Sequence, residues 1–147
     1  MNPSRVTRSV GLGTTCSATT LAAAACATFV PQPQTALAPG GPPEALACER
    51  SEVEQRGYQV LEADTLTWII RADRSRNNTV ANVDAYDELT LRVYSLPDGR
   101  YALRVVVDAY QVTRGDNAGK VAIDPSPQAR REVREILEAC GAPADGT

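Results

Sequence analysis

Residues 87–112 read DELTLRVYSLPDGRYALRVVVDAYQV, and no other stretch limits the fold as firmly. Two runs alternate apolar and polar residues with period two around a turn written as Pro97, Asp98 and Gly99. Successive side chains on a strand point to opposite faces, so each run lays one apolar edge against a core. Pro97 presets the first turn position, Asp98 suits the second, and Gly99 supplies the left-handed conformation that a following bulge requires. The pattern predicts a hairpin that buries Leu89, Leu91 and Val93 with Tyr101, Leu103, Val105 and Val107. Thr90, Arg92, Tyr94, Arg104, Val106, Asp108 and Tyr110 then face the other way.

A second region of period two, TLTWIIRAD, places Leu66, Trp68, Ile70 and Ala72 on the core side. A shorter strand from Tyr58, YQVLEA, pairs with it through a turn at Asp64. Residues 74–88 are the longest polar connection between strands; Asp84, Asp87 and Glu88 there match no calcium-loop spacing, and a solvated loop is the stronger reading. The Arg114, Gly115, Asp116 tripeptide sits among turn residues and reads as the loop leading to the last helix.

Helices flank the strands. SPQARREVREILEACG carries an N-cap at Ser126, proline at the first helical position and a stop at Gly141. Ala129, Val133, Ile136, Leu137 and Cys140 share one face of it. A first helix over about Glu44 to Arg56 aligns Leu46 with Val53 but puts Cys48 on nearly the opposite side, so either the helix begins at or after Cys48 or a bridge leaves from its flank. The expected fold class is α+β: a four-stranded antiparallel meander sheet with the N- and C-terminal helices on one face, in the order α-β-β-β-β-α.

The first residues read as an address. Arg5 and Arg8 precede an uncharged, alanine-rich run from Val10 to Val30, the zone order of an export signal. Cleavage fits before Thr28, after ACA; the ALA ending at Ala38 is disfavoured because Pro39 would follow the cut. LAAAAC offers a second route in which Cys26 is lipidated and becomes the new N-terminus, with Ala23 where such motifs usually have leucine. Acylation there would anchor the chain to a membrane, each buried methylene adding about 0.8 kcal/mol. The expected organisation is a signal over 1–27, a proline- and glycine-rich linker over 28–43, one domain over 44–141 and a disordered tail over 142–147.

Cys16 and Cys26 lie in the export segment, leaving Cys48 and Cys140 near the two ends of the domain. In an oxidising compartment such a pair reads as a disulfide, here one that joins the two helices; two buried thiols are the alternative. With Trp68 as the only tryptophan and Phe29 as the only phenylalanine, the core must come from aliphatic residues and tyrosine, so a staple would help.

The layout CE…GYQVLEAD…WIIRAD, then a hairpin, then EILEACG resembles small uncharacterised envelope proteins of high-GC bacteria. In element order it is similar to the helix-grip domains of BamC-like outer-membrane accessory lipoproteins. The resemblance covers roughly residues 44–141 and implies an accessory or binding role outside the cytosol.

Composition removes whole classes of chemistry. The chain has no histidine, which excludes Ser-His-Asp and Cys-His catalysis and Cys/His zinc sites. A net charge of −3, with Lys120 the only lysine, gives no electrostatic basis for binding nucleic acid. No catalytic residue, cofactor or metal is indicated. The candidate partner surface is the outer sheet face with Arg71, Arg92, Tyr94, Arg104 and Tyr110, a composition enriched at interfaces. Strands also carry such residues on plainly solvated faces. The expected function is a non-enzymatic envelope module that binds an unidentified envelope protein. The alternatives are a small-ligand carrier or hydrolase using a cleft between helices and sheet, and an inhibitor presenting the SLPDGR tip.

Overall fold

The computed structural model describes residues 32–80, 82–115 and 118–142. The hairpin around Gly99 forms its centre, from β4 (Val83–Ser95) and β5 (Tyr101–Thr113). Gly99 has φ 82°, and Asp98 Oδ1 accepts the Arg100 N–H at 3.1 Å, which closes the turn as its residues dictate. The remaining elements are β1 (Gln34–Leu37), α1 (Pro42–Gln55), β2 (Gln59–Asp64), β3 (Ile69–Val80), β6 (Gly119–Ala122) and α2 (Pro127–Cys140). All strand pairings are antiparallel, in the order β1-β5-β4-β3-β2, with β6 on the same edge of β5 as β1 but at its other end.

The fold is therefore α+β with two helices, but the sheet has six strands rather than the expected four. The two extra strands are four residues each, too short for a period to show in the sequence. β1 lies inside the stretch 28–43 expected to be linker, and α1 begins there as well, at Pro42. β6 follows the turn after Arg114, where a loop running directly to the helix was expected.

Residues 74–88 correct the reading further. Residues 74–80 and 83–88 are not loop but the outer parts of β3 and β4, with Arg74 opposite Asp87 and Arg76 opposite Ala85. Polar residues stand on both faces there, so no alternation in hydropathy marks the strands. Trp68 also departs from the expected strand: it has φ 56° and sits in the turn before β3, half-buried at the core's edge. Asp64 shapes that turn by accepting the Leu66 N–H at 2.7 Å and the Thr67 hydroxyl at 2.6 Å. Leu66, placed on the core side by its spacing, is exposed.

Both helices cover one face of the sheet. Leu46 and Val53 of α1 and Val133, Ile136 and Leu137 of α2 pack with Ile70, Leu89, Leu91, Val93, Leu103, Val105 and Val107. Ser126 caps α2 by accepting the Ala129 N–H at 3.0 Å, and its own N–H and hydroxyl bond to Asp87, fixing the helix start to β4. Gly141 ends α2 in an extended conformation rather than the left-handed one expected of a stop. Its need for glycine is spatial: a Cβ there would lie 2.5 Å from the Ala36 Cβ and from the Leu137 carbonyl oxygen. That close approach lets the Ala142 N–H bond the Leu37 carbonyl at 2.7 Å and clasps β1 against the end of α2.

Cys48 and Cys140 form a disulfide with Cα atoms 5.7 Å apart, closing a separation of 92 residues. Because α1 starts at Pro42, the bridge leaves it from the flank, the second of the two arrangements the sequence allows, and it leaves α2 from the buried face. In the chain-entropy description a loop of this length stabilises by about 4–5 kcal/mol. Replacing both cysteines by serine should lower the urea unfolding free energy by that order without changing the far-ultraviolet dichroism of the surviving fold.

One end of the inner face is ionic. Arg74 donates two hydrogen bonds to Glu132, at 2.9 and 2.8 Å, lies over the Tyr58 ring and also bonds the Arg56 carbonyl. Arg76 pairs with buried Asp87 and bonds the Asp124 carbonyl. Burial pushes Asp87 and Glu132 up, but hydrogen bonds from Arg76 and Ser126 to the former, and from Arg74, Gln128 and Tyr58 to the latter, more than offset it and hold both below the ordinary range.

Glu49 is the opposite case. It is fully buried on the inward face of α1, and neither carboxyl oxygen has a hydrogen-bond partner. Burial raises its pKa from 4.5 to about 8. Between those values the folded state holds a proton that the unfolded chain has released, so stability falls as pH rises through that window. Asp87 and Glu132 act in the reverse sense: their contribution is present above their unfolded pKa values and lost as pH falls through the lowered ones. Stability should therefore peak near pH ~5. Glu49→Met should remove most of the decline on the alkaline side, leaving the smaller part due to Asp108, and raise stability at neutral pH by about 2–3 kcal/mol, read from urea midpoints across pH.

Candidate interaction surface

The helices leave the other face of the sheet uncovered, and β4 and β5 set its pattern rung by rung. Four cross-strand pairs stand in order along it: Tyr86 with Tyr110, Glu88 with Asp108, Thr90 with Val106, and Arg92 with Arg104. Tyr94 follows, opposite Ala102. β3 runs alongside with Ile69 next to Arg92, Arg71 next to Thr90 and Asp73 next to Glu88.

The five residues singled out in the sequence divide into three settings. Arg92, Tyr94 and Arg104 meet around a depression of about 310 Å³. Both guanidiniums are exposed, and no carboxylate among the described residues pairs with either. Like charges directly opposite on a ladder are unfavourable, so this rung works against the fold that carries it. Arg71 is different: Glu88 lies 3.0 Å from it and Glu62 lies 3.7 Å away, so its charge is compensated.

Tyr110 belongs to the far end. Its ring stacks on Tyr86 with centroids 5.1 Å apart, Lys120 of β6 lies 3.5 Å above it, and its hydroxyl donates to Asp73 at 2.7 Å. Burial first, then the hydrogen bond to Asp73, push its phenol above the usual range.

The acidic rung was not foreseen as a site. Glu88 and Asp108 face each other across the ladder, and burial, then the neighbouring Glu88 charge, raise the Asp108 carboxyl. Glu88 is served by Arg71 and by Lys120 at 3.7 Å. The signal that would have revealed it is the register: once Pro97 to Gly99 are taken as the turn, residues whose numbers sum to 196 stand opposite, which makes 88 with 108 and 92 with 104 two like-charged pairs.

Other expected sites are quickly placed. Cys48 and Cys140 are bonded to each other. Cys26 and the export segment lie outside the described residues. Asp84 and Asp87, weighed for calcium, are engaged by Arg114 and Arg76, and no cluster of three metal-ligating side chains occurs among the described residues. No described helix is long and apolar enough to cross a membrane. No protein-family model matches the chain, and no curated protein matches it.

Removing the like-charge rung should stabilise a single copy. At protein concentrations dilute enough to keep the chain monomeric, Arg92→Thr is expected to gain about 0.2–1 kcal/mol in urea unfolding at low ionic strength, the gain shrinking as salt screens the repulsion. A loss would mean that Arg92 has a stabilising partner in solution.

Proposed function

We propose that the protein is a non-enzymatic interaction module that works outside the cytosol and binds through the outer face of its sheet. The observation that carries this reading is the Arg92–Arg104 rung: two exposed, uncompensated guanidiniums side by side, next to Tyr94, on an otherwise ordered face. A fold gains nothing by itself from such a pair, whereas a binding surface gains two donors suited to carboxylates. The disulfide supports an oxidising compartment, since such bonds persist outside the cytosol. Export through the first 27 residues, with or without lipid on Cys26, belongs to the same proposal. So does the resemblance in layout to accessory helix-grip domains, supported by two helices laid on one face of an antiparallel sheet.

One observation favours a small-ligand carrier, a groove of about 290 Å³ between α1 and the β2–β3 turn, lined by Leu46, Ala63, Trp68 and Ile70 among others. Its polar lining is Arg50, already paired with Glu54, and Thr65. Ligand sites run from about 300 to 1,000 Å³ and carry a few convergent polar groups, so the groove supports this reading weakly.

Site-specific photocrosslinking in the native host separates the two. A photoreactive residue in place of Tyr94 should give a discrete protein adduct in the envelope fraction, lost when Arg92 and Arg104 are both changed to glutamate. One placed at Arg131, on the exposed side of α2, should give none. Adducts only from the helix side, or none from the sheet, would contradict the proposal.

A further inference from the structure

The four rungs of the outer face are arranged so that the face complements itself. Arg92 with Arg104 lies two residues to one side of Thr90 with Val106, and Glu88 with Asp108 lies two residues to the other. At about 3.3 Å per residue the basic and acidic rungs are ~13 Å apart, centred on the Thr90–Val106 rung. We propose that this face docks a second copy of the same chain, with a two-fold axis running along that rung in the plane between the two sheets. The proposal rests on the outer face being the binding surface.

The geometry follows from the symmetry. A rotation about an axis perpendicular to the strands and parallel to the sheet reverses strand direction and turns face to face. Arg92 then meets Glu88 of the second copy, and Arg104 meets Asp108 of the second copy; the same two contacts recur on the other side of the axis. Such an isologous interface uses one patch twice. Sheets packed in this way lie about 10 Å apart, within reach of arginine and glutamate side chains from opposing faces.

The neighbouring rungs fit the same operation. Tyr94 falls over Tyr86 of the second copy, and Ala102 over Tyr110, so apolar surface flanks the charges. Arg71 lies beside Thr90, near the axis, but is neutralised within its own sheet by Glu88 and Glu62. The repulsion at Arg92–Arg104 and the raised Asp108 carboxyl are both relieved by the same contact. About this axis β4 and β5 overlap their copies over 11 residues each and β3 over five, with β2 alongside, on the order of 500 Å² of sheet per copy, the scale of a weak, reversible dimer rather than a permanent one.

The test is sedimentation velocity on the chain purified as its host processes it, disulfide intact, over ~1–100 µM protein. A dimer is expected, its dissociation constant rising at least ~10-fold between ~0.02 and ~0.5 M salt. Two variants then exchange the charges: Arg92→Glu with Arg104→Glu makes both rungs acidic, and Glu88→Lys with Asp108→Lys makes both basic. Each should be monomeric alone, and a mixture should form the heterodimer. Should either variant fail to fold, Thr90→Cys keeps the question open to test: near the axis, it should be joined to itself by a short bismaleimide in high yield, and exposed Val121→Cys, on β6 opposite Gln111 and ~33 Å from its copy across the axis, should not. A wild-type chain that stays monomeric at low salt, or charge variants that dimerise unchanged, overturns the inference. If the chain is monomeric while Tyr94 still yields an adduct to another protein, self-docking alone fails; absence of both removes the module reading too.

Discussion

The bond between Cys48 and Cys140 determines what the rest of the chain can do. It joins the two helices across 92 residues of sequence and keeps both on one side of the sheet. Without it, the core would rest on aliphatic contacts from short helices, one of which turns a glutamate inward at position 49. A fold of this size lies only about 5–15 kcal/mol from unfolding, so a contribution of about 4–5 is decisive. The clasp also ties in the segments flanking the helices: residue 142, two beyond Cys140, bonds Leu37 and holds β1 against the end of α2.

Concentrating the packing on one face leaves the other to electrostatics. The covered face holds apolar side chains through its centre and a closed set of ion pairs at one end, where Arg74, Arg76, Asp87, Glu132 and Tyr58 satisfy one another. Those arginines resemble a functional cluster by composition alone. Their partners show them holding β3, β4 and the start of α2 together. On the uncovered face Glu88 is met by Arg71 and Lys120, but Arg92 and Arg104 stand like beside like without a carboxylate, which costs stability within one copy. That one uncompensated rung is the physical reason for proposing a function for the outer sheet.

The centre of the fold was legible because its constraints are local. Pro97, Asp98 and Gly99 set the register, and Leu89, Leu91, Val93, Leu103, Val105 and Val107 set the face. The helix over Pro127–Cys140 was equally plain from its cap and its apolar stripe. What escaped has other causes. β1 and β6 form only because β5 offers an unpaired edge, a condition no four-residue sequence can announce. The hairpin over residues 74–88 is polar on both faces, so its strands read as a loop until Arg76 and Asp87 are seen to pair. Trp68 read as strand interior because its spacing fits, whereas Asp64 bends the chain beneath it. Of the outer-face residues singled out in the sequence, Arg92, Tyr94 and Arg104 lie together, whereas Arg71 and Tyr110 belong to other settings, and the acidic rung required the register.

The most direct measurement is peptide mapping of the protein taken from its native host, alkylated before any reduction. The account requires the tryptic peptide ending at Arg50 to appear joined to the peptide that begins at Glu135, with no alkylated Cys48 or Cys140. Recovery of both cysteines as alkylated, separate peptides would mean that the helices are not tied and that the chain works in a reducing compartment, contradicting the arrangement from which the rest is argued.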